Sequence, residues 1–197
     1  MINTDKFEDI QLSREILKAT SELGFLKMSP IQAQAIPLIL EGHDVTGLAM
    51  TGTGKTAAFA LPLIDKIDAR KKTTQALVVC PTRELALQVA HEIQKFIKYK
   101  PGIYVLPVFG GQSIVGQLKV LKKGVQIVVG TPGRLIDHIN RQSLNLSNLS
   151  MVVLDEADEM MDMGFRDDIE QILQRTPISR QTITFSATMP SSILDLV

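Results

Sequence analysis

The sequence contains no tryptophan, and only two tyrosines and seven phenylalanines among 197 residues. So few rings argue against an aromatic platform for stacking bases, and any contact with a nucleic acid falls to its backbone. The single cysteine, Cys80, excludes an internal disulfide and is compatible with a reducing compartment. It lies in the apolar run 76–80 and reads as a small hydrophobe rather than a reactive thiol. No stretch approaches the roughly 20 apolar residues of a membrane span. Residues 1–9 carry Asp5, Glu8 and Asp9 with no apolar core, so they do not form a secretory signal. A cytoplasmic protein with no membrane partner is the expectation. Net charge is absent too: 21 Lys and Arg balance 21 Asp and Glu. Composition therefore gives no hint of a polyanionic partner, although a local basic edge remains compatible with it. His43, His91 and His138 have no metal-ligand spacing, and no role is assigned to them.

What is present is a regular alternation. Hydrophobic residues make up 45% of the chain, enough for one sizeable core. Short apolar or β-branched runs at 45–50, 76–80, 103–109, 125–129, 151–154 and 182–185 predict strands. Between them, helical spacing covers 55–67, 83–99, 112–121, 134–140 and 155–173, the last broken near Gly164. Two further helices, about 13–23 and 30–40, precede the first strand, and an apolar helix is expected over 193–197. Strand and helix in alternation predict an α/β fold of three layers, α/β/α, around a mostly parallel sheet. No repeat, low-complexity stretch or linker divides the chain, so 1–197 reads as a single domain.

Ligands of an open parallel sheet bind beyond the carboxyl ends of its strands. Each predicted strand here ends in a chemically suggestive segment. The first leads into 49–56, where Gly52 and Gly54 permit positive-φ turns and the helix beginning near Lys55 offers its positive dipole end. Lys55 is placed to reach β- and γ-phosphates, and the Thr56 hydroxyl to bind Mg²⁺. The loop begins with Ala49 rather than glycine, so by itself it competes with a plain Gly/Thr-rich turn. The strand at 151–154 ends in Asp155, Glu156 and Asp158. Acidic residues at a helix start are favourable by about 0.3 to 1 kcal/mol each, which explains the acidity but not its position after a buried strand. Asp155 suits the metal, and Glu156 suits a general base toward the attacking water. Loop and carboxylates together predict a Mg-ATP site.

Two arginines occupy unusual positions. Thr82 and Thr131 read as helix N-caps, with Pro132 suited to a first helical position, yet Arg83 and Arg134 follow near the positive end of each helix. An external anion resolves that mismatch. Phosphates of a nucleic-acid strand fit, assisted by backbone amides, Thr131 and Gly133, with no base being read. Pairing of either arginine with a nearby carboxylate such as Glu84 is the competing explanation. Gly110 and Gly111 either let a strand approach the backbone or make a tight turn.

In order along the chain, these segments resemble the DEAD-box family of ATP-dependent RNA helicases. They are Phe7; Gly24-Phe25 with Pro30-Ile31-Gln32; 49–56; Pro81-Thr82-Arg83-Glu84-Leu85-Ala86; Gly110-Gly111; Thr131-Pro132-Gly133-Arg134; Asp155-Glu156-Ala157-Asp158; and Ser186-Ala187-Thr188. The resemblance implies a P-loop NTPase of RecA-like fold, in which the segment at about 5–33 recognises adenine through Gln32, Phe7 and Phe25. It implies a phosphate loop that includes Thr51 and Thr53 with Gly52, Gly54, Lys55 and Thr56, and catalysis by Lys55, Asp155 and Glu156. RNA backbone would meet Pro81, Thr82, Arg83, Gly110, Gly111, Thr131, Gly133 and Arg134. Ser186 and Thr188 would bond Asp158 and couple nucleotide state to RNA. Residue pattern alone gives Gln32 a different task, since Ser29-Pro30-Ile31-Gln32 reads as a capping box. Met50 stands where the family more usually carries glutamine, which leaves backbone cradling intact and removes a side-chain contact.

Family members carry a second RecA-like domain that contributes an arginine finger and the rest of the RNA cleft. Its motifs do not occur in these 197 residues, so the chain is expected to be the amino-terminal portion of a longer parent and to bind nucleotide while hydrolysing it barely. Two other classes share parts of the pattern: a different P-loop ATPase, such as a DNA translocase, and a nucleotide-binding scaffold without turnover.

Overall fold

The computed structural model describes residues 5–50, 52–189 and 193. Six parallel strands form one sheet: β1 (Val45–Leu48), β2 (Ala76–Val79), β3 (Val105–Val108), β4 (Ile127–Gly130), β5 (Met151–Asp155) and β6 (Gln181–Ser186). Their order across the sheet is β1-β6-β5-β2-β4-β3, and every pairing is parallel. The four inner strands are buried at every position, which is why their sequences run apolar rather than alternating. The outer strands β1 and β3 keep partly exposed positions.

Helices α1 (Arg14–Glu22), α2 (Pro30–Glu41), α3 (Lys55–Lys66) and α4 (Arg83–Phe96) share one apolar cluster with the sheet, which includes Ile36, Phe59, Val89 and Phe185. Helices α5 (Ile114–Lys123), α6 (Pro132–Asn140), α7 (Ala157–Asp162) and α8 (Arg166–Leu173) follow on the opposite face, where Leu135, Met160 and Ile172 pack on Leu77 and Val152. Right-handed crossovers account for the division, because the chain moves one way across the sheet through β2 and β3 and returns through β4, β5 and β6. The helix expected over 83–99 ends at Phe96 and continues as a 3₁₀ turn, Ile97–Tyr99. The expected break near Gly164 is a positive-φ turn, φ 80°, between α7 and α8. The helix expected over 193–197 lies outside the described residues except for Ile193, which is buried in the second cluster. Because all strands run the same way, their carboxyl ends and the six segments that follow them share one edge.

Candidate functional site

At that edge β1 opens into a loop whose Gly52 and Gly54 adopt φ of 84° and 91°. A Cβ on Gly54 would lie 2.4 Å from Gln32 Nε2, so both conformation and space require glycine there. Gly54 caps α3, and Lys55 is its first helical residue. The Lys55 side chain is only 6% exposed, with Nζ 3.8 Å from Asp155 Oδ1 and 3.7 Å from Glu156 Oε1. Both separations exceed hydrogen-bond range, so these are ion pairs without a shared proton.

Asp155 Oδ1 is buried and, among the described residues, has no hydrogen-bond partner. Burial pushes its carboxyl up to about 6, against the pull of Lys55 and with Glu156 adding to the push. A desolvated carboxylate oxygen with an unused lone pair is what a cation would satisfy. Among the described residues no group of three or more His, Cys, Asp or Glu could hold a metal ion. The donor set therefore fits Mg²⁺ held by one carboxylate, the Thr56 hydroxyl, a ligand's phosphates and water, rather than by a protein cage. Glu156 sits in the left-handed region, φ 54° and ψ 54°. That conformation costs a non-glycine residue about 1 to 3 kcal/mol, and here it turns the chain from β5 into α7.

The loop opens on a cleft of about 340 Å³. Phe25 and Phe96 both line it, their ring centroids 5.7 Å apart, and Phe7 packs edge-on against Phe25 at 6.4 Å. Phe7 is 3% exposed and supports Phe25 from beneath. Gln88, Glu92 and Lys95 of α4 also line the cleft. Sequence reasoning missed these three; their spacing of four and three puts them on one helical face, but a polar stripe of that kind reads as ordinary solvated surface. Gln32 is 3% exposed. Its Oε1 accepts from the Ser29 backbone N–H at 2.9 Å, and its Nε2 donates to the Gly54 carbonyl at 3.1 Å. The cap thus takes one end of the amide and the phosphate loop the other. Thr53 Oγ1 donates to the Met50 carbonyl at 2.7 Å, while Thr51 lies outside the described residues. Cys80 is buried, and burial beside Asp155 and Glu156 pushes its thiol well above the usual range, leaving it unreactive.

The two arginines differ. Arg83 is exposed, its guanidinium lies 4.9 Å from the Phe109 ring centroid, and among the described residues it makes no ion pair. Pro81 is buried at the strand end, and Thr82 caps α4 by accepting from the Leu85 N–H at 3.2 Å. Arg134 instead points inward: Nη2 donates to the Gln112 carbonyl at 3.0 Å, Nη1 to Gln117 Oε1 at 3.2 Å, and Nε lies 3.9 Å from Asp137. The mismatch of a cation at this helix start is met by internal acceptors, so Arg134 braces the edge from inside. Thr131 occupies the N-cap position without a side-chain bond to the helix, and Gly133 is exposed with open space where a Cβ would stand. Gly111 adopts φ 78° beside Arg83, and Gly110 has open space around it.

Asp158 ties the first turn of α7 to the end of β6 and the segment after it. Its backbone N–H donates to Ser186 Oγ at 3.1 Å, and its Oδ2 accepts from the Thr188 N–H at 2.8 Å and Oγ1 at 3.0 Å. Burial raises the carboxyl, but the hydrogen bonds from Ser186 and Thr188 outweigh it and hold Asp158 below the usual range.

A family model described as "DEAD/DEAH box helicase" matches residues 29–196. The chain is 56% identical over 187 residues to the ATP-dependent RNA helicase DeaD of Buchnera aphidicola subsp. Schizaphis graminum, covering 95% of this chain and 31% of that protein. It is 54% identical over 190 residues to the DEAD-box ATP-dependent RNA helicase CshA of Bacillus subtilis, covering 96% and 38% respectively. The chain thus spans well under half of these relatives. A crystal structure of a DEAD box protein from the hyperthermophile Methanococcus jannaschii superposes with a TM-score of 0.93 at 45% identity, over 98% of this chain and 52% of that one.

Proposed function

The chain belongs to the DEAD/DEAH box helicase family, and we propose that it is the ATP-binding domain of an ATP-dependent RNA helicase, a cytoplasmic protein that acts with a second RecA-like domain. One observation carries the reading: the buried Asp155 Oδ1, without a hydrogen-bond partner among the described residues, 3.8 Å from Lys55 at the mouth of the phosphate loop. In this reading Lys55 exchanges its two carboxylate partners for the β- and γ-phosphates of ATP, and the backbone N–H groups at Gly52 and Gly54 hold the remaining oxygens. Thr56 and Asp155 would hold Mg²⁺, which when bound neutralises phosphate charge. Glu156 is the general base: it takes the proton of the attacking water, and its fixed left-handed backbone aims it there. Phe25 packs near the base.

RNA backbone fits the exposed Arg83, the Gly110-Gly111 turn, and the Thr131 hydroxyl with the open Gly133 backbone. Asp158, tied to Ser186 and Thr188, links the nucleotide strand β5 to β6 and couples the two ligands. Strand separation and fast turnover belong to a chain that also carries the second domain, where an arginine finger adds about 10³ to 10⁵ in turnover in related phosphoryl-transfer systems. The test is ATPase turnover of a two-domain chain with and without RNA, alongside Glu156→Gln. RNA-stimulated turnover that is lost in Glu156→Gln with ATP binding retained supports the reading. Turnover indifferent to RNA contradicts it.

A further inference from the structure

Helix α5 buries one residue, and that residue is an amide. Gln117 is 4% exposed, while Val115 and Val120 on the same helix are 53% and 37% exposed. Burying an amide in place of an aliphatic side chain is favourable only when its polar atoms are bonded, and here all the bonds lead to the nucleic-acid edge. Nε2 donates to the Phe109 carbonyl at 3.1 Å. Oε1 accepts from Arg134 Nη1 at 3.2 Å and faces His138 Nε2 at 2.9 Å. Arg134 in turn donates from Nη2 to the Gln112 carbonyl at 3.0 Å. The turn holding Gly110 and Gly111 is therefore gripped at both ends, at Phe109 by Gln117 and at Gln112 by Arg134. The Phe109 ring carries the Arg83 guanidinium.

The donors fix the amide's orientation, since its nitrogen meets a carbonyl and its oxygen meets a guanidinium. His138, fully buried, then presents N–H at Nε2, while its Nδ1 lies 2.8 Å from Ser143 Oγ, whose hydroxyl donates to the His138 carbonyl at 3.0 Å. We propose that Gln117 is a positioning residue for the RNA-backbone site: it touches no phosphate, but it sets the 109–112 turn and the Arg134 guanidinium as one rigid unit, with His138 holding the amide in register. The proposal rests on the RNA-binding reading above.

The test uses the 197-residue chain, a fluorescein-labelled oligouridylate, Mg-ATP, and backbone amide NMR. Gln117→Leu keeps the volume and removes every bond. Gln117→Glu keeps both acceptor contacts but sets a carboxylate oxygen against the Phe109 carbonyl, which releases that end of the turn alone, so it serves if the leucine variant does not fold. The expected result is RNA binding weakened about tenfold in Gln117→Leu, as loss of buried hydrogen bonds worth 1 to 2 kcal/mol implies, with a smaller loss in Gln117→Glu. Mg-ATP affinity stays within about twofold, a change of under 0.5 kcal/mol. The Gly110 and Gly111 resonances shift or broaden, while those of Gly52 and Gly54 stay in place. Unmoved Gly110 and Gly111 resonances in either variant overturn the positioning claim, as does a parallel loss of RNA and nucleotide affinity. Absence of RNA binding by the unaltered chain contradicts the RNA-binding reading instead, and the glycine resonances still decide what Gln117 holds.

Discussion

Gln32 Nε2 donates to the Gly54 carbonyl at 3.1 Å, tying the first turn of α2 to the glycine-bearing loop between β1 and α3. The same amide caps α2 through Oε1, so helix start and phosphate loop form one mechanical unit. A nucleotide that draws the Gly54 peptide toward itself also pulls on the Gln32 amide.

Gln32→Ala removes both bonds and is expected to lower folding stability by about 1 kcal/mol, the usual worth of a cap, and to weaken ATP binding as well. Gln32→Glu keeps an acceptor for the Ser29 N–H but sets a carboxylate oxygen against the Gly54 carbonyl. It should hold most of the stability while losing nucleotide affinity. Denaturant unfolding paired with calorimetric nucleotide titration separates the two effects.

Asp155 carries a pH signature. Its carboxyl is raised to about 6 in the folded state from the ordinary 3.8, so the folded chain holds the proton more tightly than the unfolded one. Its ionisation then destabilises the fold as pH rises from about 4 to about 6. Asp155→Asn is expected to raise the melting temperature at pH 7 to 8, with the gain fading toward pH 4. Mg²⁺-dependent nucleotide affinity needs the ionised form and should fall as pH drops through about 6 in the unaltered chain. Melting curves and Mg-ATP titrations across that range check both signs.

Arg83 and Arg134 should part company on substitution. Arg83→Ala, at an exposed side chain without an ion pair among the described residues, is expected to leave the melting temperature unchanged and to reduce the salt slope of RNA binding by about 1. Arg134→Ala removes the bonds to Gln112 and Gln117 and should cost about 0.5 to 1.5 kcal/mol of stability per bond lost, with Gln117 Oε1 keeping only its contact to His138. Equal effects on stability would contradict the distinction.

Much of the architecture was legible in the sequence, because four inner strands buried on both faces must be apolar throughout and the helices between them must repeat every three to four residues. The glycine turn after β1 and the carboxylates after β5 were legible for a related reason: glycines at positive φ and charges at strand ends are local signals. What was hidden depends on tertiary neighbours. Whether Arg134 faces outward or inward is decided by Gln117, which is 17 residues away in the chain. The Gln32 amide had two competing uses on sequence grounds, and only the approach of Gly54 reveals a third partner. The α4 stripe of Gln88, Glu92 and Lys95 carries no local mark, because its place in the cleft comes from the docking of α4 beside α3.

Asp158, in the first turn of α7, is tied to the segment after β6 by Thr188, which donates to it from both N and Oγ1. Thr188→Val removes the hydroxyl bond alone and is expected to cost about 0.5 to 1.5 kcal/mol. In a two-domain chain it should leave ATPase turnover largely intact while uncoupling it from duplex unwinding. Loss of both activities in step would place Thr188 in the chemistry instead.

Calorimetric titration of the 197-residue chain with ATP, with and without Mg²⁺, tests the central claim most directly. The account expects saturable one-to-one binding strengthened by Mg²⁺, lost in Lys55→Ala, and retained but insensitive to Mg²⁺ in Asp155→Asn. Binding that persists in Lys55→Ala, or that keeps its full Mg²⁺ dependence in Asp155→Asn, would contradict it.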